Sequence, residues 1–255
     1  MKDNDLLWRA ERACLDAWPA ETEAAQLGWL LRHSGGPTRR PNSLNPTRSA
    51  AHECGALIDA ADAFYTARGQ RPIFRLPKIG PDIGKELDKA GYGGEEGWSL
   101  TLLAEEITVP PDTPCHKVSL SPAPSQDWIA SRHTLSGTLP EDQPFYNRML
   151  TLIRGPVCFA ALEVESVPCA QAYGTIQQGL LVLESVVTDA TCRNKGYGRA
   201  VVGALLGWGK KMGAEAACLQ VVAGNDPALA LYARLGFSKT LYGYHYRRKE
   251  NAPAQ

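Results

Sequence analysis

The sequence predicts an α/β fold, and three observations between residues 180 and 237 carry that prediction. The run Leu180 to Thr188 is mostly apolar and rich in valine, which is typical of a buried strand, and Ala217 to Val222 is a second such run. Between them, apolar residues recur at the spacing of a helical stripe: Val201, Leu205, Trp208 and Met212. The segment Asn225 to Phe237 is then predicted to form a further helix. Strands that alternate with helices indicate an α/β protein.

A loop with two glycines joins the first strand to the first helix. Its sequence is Arg193-Asn194-Lys195-Gly196-Tyr197-Gly198-Arg199. Gly196 and Gly198 allow a tight turn and a close approach of the backbone to a ligand, and the N–H groups at the start of the helix favour an anion. The loop is therefore predicted to bind a phosphate group. The alternative is a solvated turn ahead of a helix.

Two blocks of this region follow a known family signature in order and spacing. The first is Arg193-Asn194-Lys195-Gly196-Tyr197-Gly198, and the second comprises Asn225, Ala228, Leu231, Tyr232, Gly236 and Phe237. On these residues the chain resembles the GNAT superfamily of acyl-CoA-dependent N-acyltransferases. The resemblance covers residues 180–237 and extends back to His116. It implies an α+β arrangement with a mixed sheet: a first strand at 116–120, helices at 126–133 and 145–153, and antiparallel strands at 156–164 and 170–187.

The resemblance also implies acetyl-CoA as acyl donor and no metal. In the family, the strands that match residues 185–188 and 219–222 separate, and the thioester lies between them, with a backbone N–H near Val187 placed to polarise its carbonyl. The pantetheine arm adds to the edge of the first strand, and the loop holds the pyrophosphate. The residues expected to bind the coenzyme are Val186, Val187, Thr188, Arg193, Asn194, Lys195, Gly196, Tyr197, Gly198, Arg199, Asn225 and Tyr232.

Two residues are candidates for proton transfer. Tyr232 matches the general acid of the family, and its alternative role is that of a packing aromatic. Glu184 is a carboxylate in an otherwise apolar strand and is the candidate base; the alternatives are a solvated glutamate or one paired with an arginine. Relatives often carry the base two residues earlier, where this chain has Val182. A water relay to the amine therefore stays open.

Composition narrows the class of protein. The chain has 255 residues, and its 27 basic residues equal its 27 acidic ones, so no net charge draws it to nucleic acid or to an anionic membrane. Its seven cysteines are scattered, and its five histidines lack metal-ligand spacing, which argues against a disulfide framework and a zinc site. The N-terminus lacks the apolar core of a signal peptide, and no run is long enough to cross a bilayer. We therefore expect a cytoplasmic enzyme, and an oligomer is compatible with these features.

The chain is predicted to contain two related halves. The proline-rich segment 109–115 is the expected linker between residues 1–108 and 116–255. Three segments of the first half align with the second: residues 42–44 with 184–186, 56–58 with 204–206, and 73–76 with 218–221. The first half is thus a degenerate GNAT-like copy that lacks six residues at the phosphate loop, while the second copy is complete. Chance similarity between two strand–helix units is the alternative.

The acceptor is expected to be the primary amine of a small molecule that attacks the thioester directly in a ternary complex. Residues 238–247 alternate as a final strand, with Tyr242, Tyr244 and Tyr246 on one face and His245 and Arg247 on the other. Asn42, Ser43 and Asn45 of the first half would form the opposite wall, with Tyr244 and Tyr246 as the other acceptor contacts. The arginines of residues 35–41 are expected to be solvated. Alternatives are a non-catalytic acyl-CoA sensor, a protein-lysine or N-terminal acetyltransferase, and a nucleotide phosphotransferase.

Overall fold

A computed structural model describes residues 2–52, 54–110 and 117–249. The expected linker lies outside the described residues from residue 111 onward, as does His116. The first half contains one long helix, two shorter helices and five strands: α1 (Lys2–Ala17), β1 (Thr22–Gln26), β2 (Trp29–His33), β3 (Leu44–Pro46), α2 (Gly55–Thr66), β4 (Ile73–Pro77), α3 (Gly84–Lys89) and β5 (Glu96–Ala104).

Within residues 117–249, the second half contains six strands and four helices: β6 (Val118–Ser121), α4 (Gln126–Ser136), α5 (Gln143–Leu152), β7 (Val157–Val164), β8 (Val167–Gln177), β9 (Leu180–Thr188), α6 (Tyr197–Lys211), β10 (Ala216–Val222), α7 (Asp226–Ala233) and β11 (Lys239–Arg248). The strands and helices expected from the sequence of this half are all present, within a few residues of their predicted ends.

All eleven strands form one mixed sheet. Their order is β1-β2-β3-β4-β11-β5-β10-β9-β8-β7-β6. Two neighbouring pairs, β3 with β4 and β9 with β10, are parallel, and the others are antiparallel. The predicted α/β class with a mixed sheet is confirmed.

The last strand of each half pairs with the other half. β5 pairs with β10 from Ser99–Val222 to Ala104–Ala217, and β11 pairs with β4 from Tyr244–Pro77 to Arg248–Ile73. β5 and β11 then pair with each other at the centre of the sheet. Each half therefore completes its part of the sheet with a strand that the other half supplies.

Helices cover both faces of the second half. Leu181 and Leu183 of β9 point to the face that α6 and α7 cover, where they pack with Val201 and Leu205. Because side chains alternate along a strand, Val182 and Glu184 point to the other face. There α1 packs Ala13 and Cys14 against Val182 and Cys218, while Trp128 of α4 and Met149 of α5 pack on Tyr173. Helix α1 of the first half thus lies on the sheet of the second half.

Candidate active site

The two central strands of the second half separate near their carboxyl ends. The parallel register of β9 and β10 begins at Leu180–Ala216 and ends at the pair Leu183–Leu219. β9 then continues to Thr188, paired with β8 on its other side. A bulge in this pairing coincides with Ser185, whose φ of 55° is left-handed. The separation leaves backbone groups of residues 184–188 facing an opening in the sheet.

The two-glycine loop lies beside this opening. Gly196 has a φ of 83° and caps α6, whose first internal hydrogen bond runs from the N–H of Ala200 to the carbonyl of Gly196. A Cβ at Gly198 would lie 3.0 Å from Oγ1 of Thr188, at the end of β9. The absence of a side chain at this position therefore keeps the end of β9 and the start of α6 close together.

Four polar residues of the loop are exposed: Arg193, Asn194, Lys195 and Arg199. The amides of the first turn of a helix have no acceptor within the helix, and they carry the positive end of its dipole. Three cationic side chains thus surround a helix start that favours an anion. This arrangement fits the pyrophosphate of an acyl-CoA.

Tyr232 lies in α7, and Asn225 is the residue that precedes this helix and caps it. Tyr232 is buried, and its ring meets Phe237 edge to face with centroids 5.8 Å apart. Burial, and after it the charge of Glu184, raises the pKa of Tyr232 well above its ordinary value. Its hydroxyl is therefore protonated at neutral pH. Asn225 caps α7 because its Oδ1 accepts a hydrogen bond from the N–H of Ala228 over 3.3 Å.

Glu184 forms a two-point ion pair with Arg40 of the first half. Nη1 of Arg40 donates to Oε1 of Glu184 over 2.6 Å, and Nη2 donates to Oε2 over 2.8 Å. The Glu184 side chain is 5 % exposed and the Arg40 side chain 21 % exposed, so the carboxylate is enclosed while its partner stays partly exposed. Burial lowers the pKa of Arg40, but attraction to Glu184 outweighs it and holds that pKa above the ordinary value. Of the alternatives for Glu184, pairing with an arginine is therefore what the structure contains.

Arg40 is the residue of this site that the sequence analysis missed. The expectation that the arginines of residues 35–41 are solvated is wrong for Arg40. Its Cζ lies 4.5 Å from the centroid of the Trp18 ring, and its Nη1 donates a hydrogen bond to Oε1 of Gln220 over 3.4 Å. Its sequence neighbours are turn-forming residues, which favour exposure. Only the isolated carboxylate in the apolar strand β9 signalled that a cationic partner was needed.

The two tyrosines expected to contact the acceptor, Tyr244 and Tyr246, lie on one face of β11. Tyr242, Tyr244 and Tyr246 form one cluster, as predicted, although two bulges interrupt the pairing of β11 with β5. The hydroxyl of Tyr244 donates to Gln220 over 3.2 Å, and Tyr246 packs beside Arg39. His245 instead stacks on Trp98, and Arg247 pairs with Asp88, on the other face.

The three polar residues of the predicted opposite wall are buried. Asn42 donates to the carbonyls of Gly35 and Thr38 and accepts from the N–H of Ser34. The amide of Asn45 donates to Ser43, whose own hydroxyl donates to the carbonyl of Arg40. These hydrogen bonds fix the segment that carries Arg40. A direct contact of these residues with an acceptor stays a prediction.

A second tyrosine reaches the opening from helix α5. The hydroxyl of Tyr146 lies 2.9 Å from Oγ of Ser185, the residue at the bulge. Burial raises the pKa of Tyr146, so this hydroxyl is also protonated at neutral pH.

Among the residues that the structure describes, no three histidine, cysteine or acidic side chains form a metal-binding group. Nor does this part of the chain contain a helix long and apolar enough to span a bilayer.

Comparisons with known proteins agree with this geometry. The family model described as "Probable histone acetyltransferase Rv0428c C-terminal" matches residues 7–248. The uncharacterised N-acetyltransferase YobR of Bacillus subtilis is 30% identical over 253 residues, which cover 96% of this chain and 99% of YobR. The match thus spans both halves of the chain.

Solved structures share the fold at low sequence identity. A GCN5-related N-acetyltransferase from Kribbella flavida superposes with a TM-score of 0.72 at 15% identity, over 98% of this chain and 96% of that one. A tandem GNAT protein from the clavulanic acid biosynthesis pathway gives a TM-score of 0.63 at 13% identity, over 83% of this chain and 74% of that one.

Proposed function

Because the chain belongs to the Rv0428c C-terminal family of acetyltransferases, within the GNAT superfamily of acyl-CoA-dependent enzymes, we propose that it transfers an acetyl group from acetyl-CoA to the primary amine of a small molecule. The observation that carries the proposal is the separation of β9 and β10 beside the two-glycine loop and Tyr232. It brings an anion-binding helix start, an open strand edge and a proton donor to one place.

The coenzyme would be held by the open edge of β9 and the start of α6. Backbone groups of Val186, Val187 and Thr188 face the opening, where they can hydrogen-bond a peptide-like arm. The N–H groups and cations from Arg193 to Arg199 would hold the phosphates. Acetyl-CoA supplies the activated acetyl thioester, and the N–H near Val187 would stabilise the negative charge that develops on the carbonyl oxygen.

Tyr232 is the proposed acid that protonates the departing thiolate. Its raised pKa keeps the proton on the hydroxyl at neutral pH, which a proton donor requires. The charge of Glu184 contributes to the raised pKa of Tyr232, after burial. This electrostatic influence supports an acid and a carboxylate that act on one reacting centre.

Glu184 is the proposed acceptor of the amine proton, directly or through a water molecule. Its carboxylate, which already pairs with the guanidinium of Arg40, is a suitable partner for an alkylammonium, whose pKa in solution is about 10.4. An approaching ammonium would compete with Arg40 for the same oxygens. We therefore propose that the main contribution of the first half to the acceptor site comes from Arg40 rather than from Asn42, Ser43 and Asn45.

Direct attack in a ternary complex is favoured over a covalent acyl-cysteine. A hydrogen bond to Cys218, burial and the charges of Cys218, Glu184 and Glu11 raise the pKa of Cys14 well above its ordinary value. Cys218 itself is fully buried beside Cys14. Because the thiolate is the nucleophilic form of cysteine, this pair is a poor acyl carrier.

The first half is proposed to be a degenerate copy of the second. The order β3-α2-β4-α3-β5 repeats as β9-α6-β10-α7-β11, and the parallel pair β3–β4 corresponds to β9–β10. Leu87 is fully buried at the position that corresponds to Tyr232, and Gly80 corresponds to Asn225. This copy thus lacks the groups proposed to hold and protonate the coenzyme.

The test is an assay of free thiol release from acetyl-CoA by the full chain against a panel of amines, with mass spectrometry of the acetylated product. We expect release that depends on the amine, with initial-rate lines that intersect. Release that no amine stimulates would contradict the proposal and support an acyl-CoA sensor. An acetylated enzyme formed without acceptor would contradict direct attack.

A protein lysine is the second candidate acceptor, because the matching family model carries the description of a probable histone acetyltransferase. A lysine-rich histone tail peptide therefore belongs in the same panel. A higher kcat/KM for this peptide than for every small amine would replace the small-molecule proposal.

A further inference from the structure

A cavity of about 530 Å³ opens where the loop before β3 and the start of β4, from the first half, meet the end of β11, from the second half. Four basic side chains from three separate segments line it: Arg39, Arg71, Arg248 and Lys249. Glu96 is the carboxylate among the lining residues. Lys249 pairs with Asp62 over 2.6 Å, so the positive character of the cavity wall is carried by its arginines.

The single carboxylate is shared between two guanidinium groups. Oε1 of Glu96 lies 3.0 Å from Nε of Arg248 and 3.6 Å from Nη1 of Arg39. Nη1 of Arg39 is buried and lacks a hydrogen-bond acceptor among the described residues. A buried donor without an acceptor is costly, and an anionic group is the acceptor that a guanidinium binds best.

Arg39 is held in place on two sides. A Cβ at Gly97 would lie 2.6 Å from Nη1 of Arg39, so the guanidinium rests where only a glycine leaves room. Its Cζ also lies 5.2 Å from the centroid of the Tyr246 ring. A fixed guanidinium loses little conformational entropy when it binds a carboxylate or a phosphate.

A chain of buried side-chain contacts leads from Arg39, which lines the cavity, toward the proposed active site. Tyr246 meets Tyr244 edge to face at 5.8 Å, and Tyr244 donates to Gln220, which also contacts Arg40. Three strand spacings separate β11 from β9, which corresponds to about 14 Å. This spacing is within the length of an extended small molecule, and such a molecule would have to displace the buried rings of Tyr244 and Tyr246 to contact Glu184 as well as the cavity.

We propose that this cavity binds an anionic group of the acceptor, so that the acceptor is an amine that also carries a carboxylate or a phosphate. The inference rests on the proposed acetyltransferase function. The ammonium would lie at Glu184 and the anion at Arg39 and Arg248. The same positive wall opposes a polycationic acceptor such as a lysine-rich tail.

The first experiment compares paired acceptors that differ in one acidic group, namely O-phosphoethanolamine against ethanolamine, and amino acids against their amides. We expect the acidic member to be preferred at least tenfold in kcat/KM. Arg39→Gln and Arg248→Gln should remove this preference, mainly through KM. Arg48→Gln is the matched control, because Arg48 is an exposed arginine of the first half that pairs with Asp5 away from the cavity. The phosphate and carboxylate pairs distinguish the two anions.

The second experiment measures binding of inorganic phosphate and succinate by calorimetry, without turnover. We expect Arg39→Gln to weaken the binding of at least one of them tenfold or more relative to Arg48→Gln. Acetylation of amines with no preference for the acidic member would overturn the inference and leave the proposed function standing. If no amine is acetylated, the proposed function and the acceptor assignment both fail, and calorimetry then decides whether the cavity binds anions. Equal binding and equal kinetics in all variants would overturn the anion site itself.

Discussion

The guanidinium of Arg40 and the carboxylate of Glu184 are joined by two hydrogen bonds although 144 positions separate them in the sequence. The pair links the first half of the chain to the strand that borders the proposed thioester site. It therefore combines a structural contact between the halves with the electrostatics of the reaction centre.

Removing the cation of this pair is expected to be costly. Arg40→Met leaves Glu184 buried without a partner, which typically costs about 3–5 kcal/mol in the free energy of unfolding. Turnover should also fall, because the carboxylate proposed to accept the amine proton loses the group that positions it. Urea unfolding and initial rates measure the two effects. Arg40→Met combined with Glu184→Leu should recover most of the stability but not the activity, and simple additivity in this cycle would contradict the coupling.

Coenzyme binding is expected to depend on the second half alone. Gly198→Asp places a side chain against Thr188 and a negative charge at the start of α6, so affinity for acetyl-CoA should fall at least tenfold, about 1.4 kcal/mol. The matched control is Gly55→Asp, at the start of the corresponding helix α2, where a Cβ has nothing within 4 Å. Calorimetry that finds equal loss in both variants would argue against the assignment of the loop.

Turnover is expected to depend on the hydroxyl of Tyr232. Tyr232→Phe keeps the ring against Phe237 and removes the proton donor, so kcat should fall by about 10²- to 10⁴-fold with little change in acetyl-CoA affinity. Tyr65→Phe is the control, because Tyr65 is a buried tyrosine of the first half whose hydroxyl donates to the carbonyl of Arg32. Near-normal kcat in Tyr232→Phe, measured where chemistry limits the rate, would leave this tyrosine a packing residue.

Stability is expected to fall in alkali. Burial raises the pKa of Tyr65, Tyr92, Tyr232 and Tyr246 in the folded protein, whereas tyrosines of the unfolded chain ionise near pH ~10. Above that pH the unfolded chain binds fewer protons than the folded one, so the free energy of unfolding decreases as the pH rises. Urea unfolding between about pH 8 and pH 11 measures this slope. Tyr65→Phe should flatten it, and an unchanged slope in that variant would refute the contribution of Tyr65.

Helix α1 is expected to be anchored by an ion pair that is fully enclosed. Arg75 of β4 makes two hydrogen bonds to Glu11 of α1, which also accepts one from Tyr242 over 2.7 Å. Glu11→Gln should lower the free energy of unfolding by about 3–5 kcal/mol. Arg12→Gln, which breaks a surface pair with Asp16 on the same helix, should cost less than about 1 kcal/mol. Similar losses in both variants, measured by urea unfolding, would be inconsistent with this difference.

Local patterns predicted much of the second half. Three features of this half could be recognised from residues that are adjacent in the sequence: the valine-rich strand β9, the glycines at 196 and 198, and the alternating tyrosines of β11. The structure contains the strand, the helix start and the tyrosine face. The bulge at Ser185 had no such signal, because a serine with positive φ is not marked by its neighbours. The partner of Glu184 was equally hidden, since an ion pair across 144 positions depends on how two distant segments pack.

The exchange of β5 and β11 between the two halves could not be predicted from the sequence for a related reason. Strand propensity tells where a strand lies in the chain but not which edge it joins, and β5 would pair as well with β4 by local criteria. The alignment between the halves shows which elements correspond. It does not show which half each last strand joins, because exchanging the last strands leaves the alignment unchanged.

This exchange has a consequence for the order of events on the ribosome. β5 leaves the exit tunnel roughly a hundred residues before its partner β10 has been made, and β4 waits even longer for β11. The strands β4 and β5 of the nascent first half therefore have exposed edges before their partners have been synthesised. Pairing of β4 with β5 would be a transient off-pathway state. Completion of the sheet therefore waits for β11, which pairs with both β4 and β5.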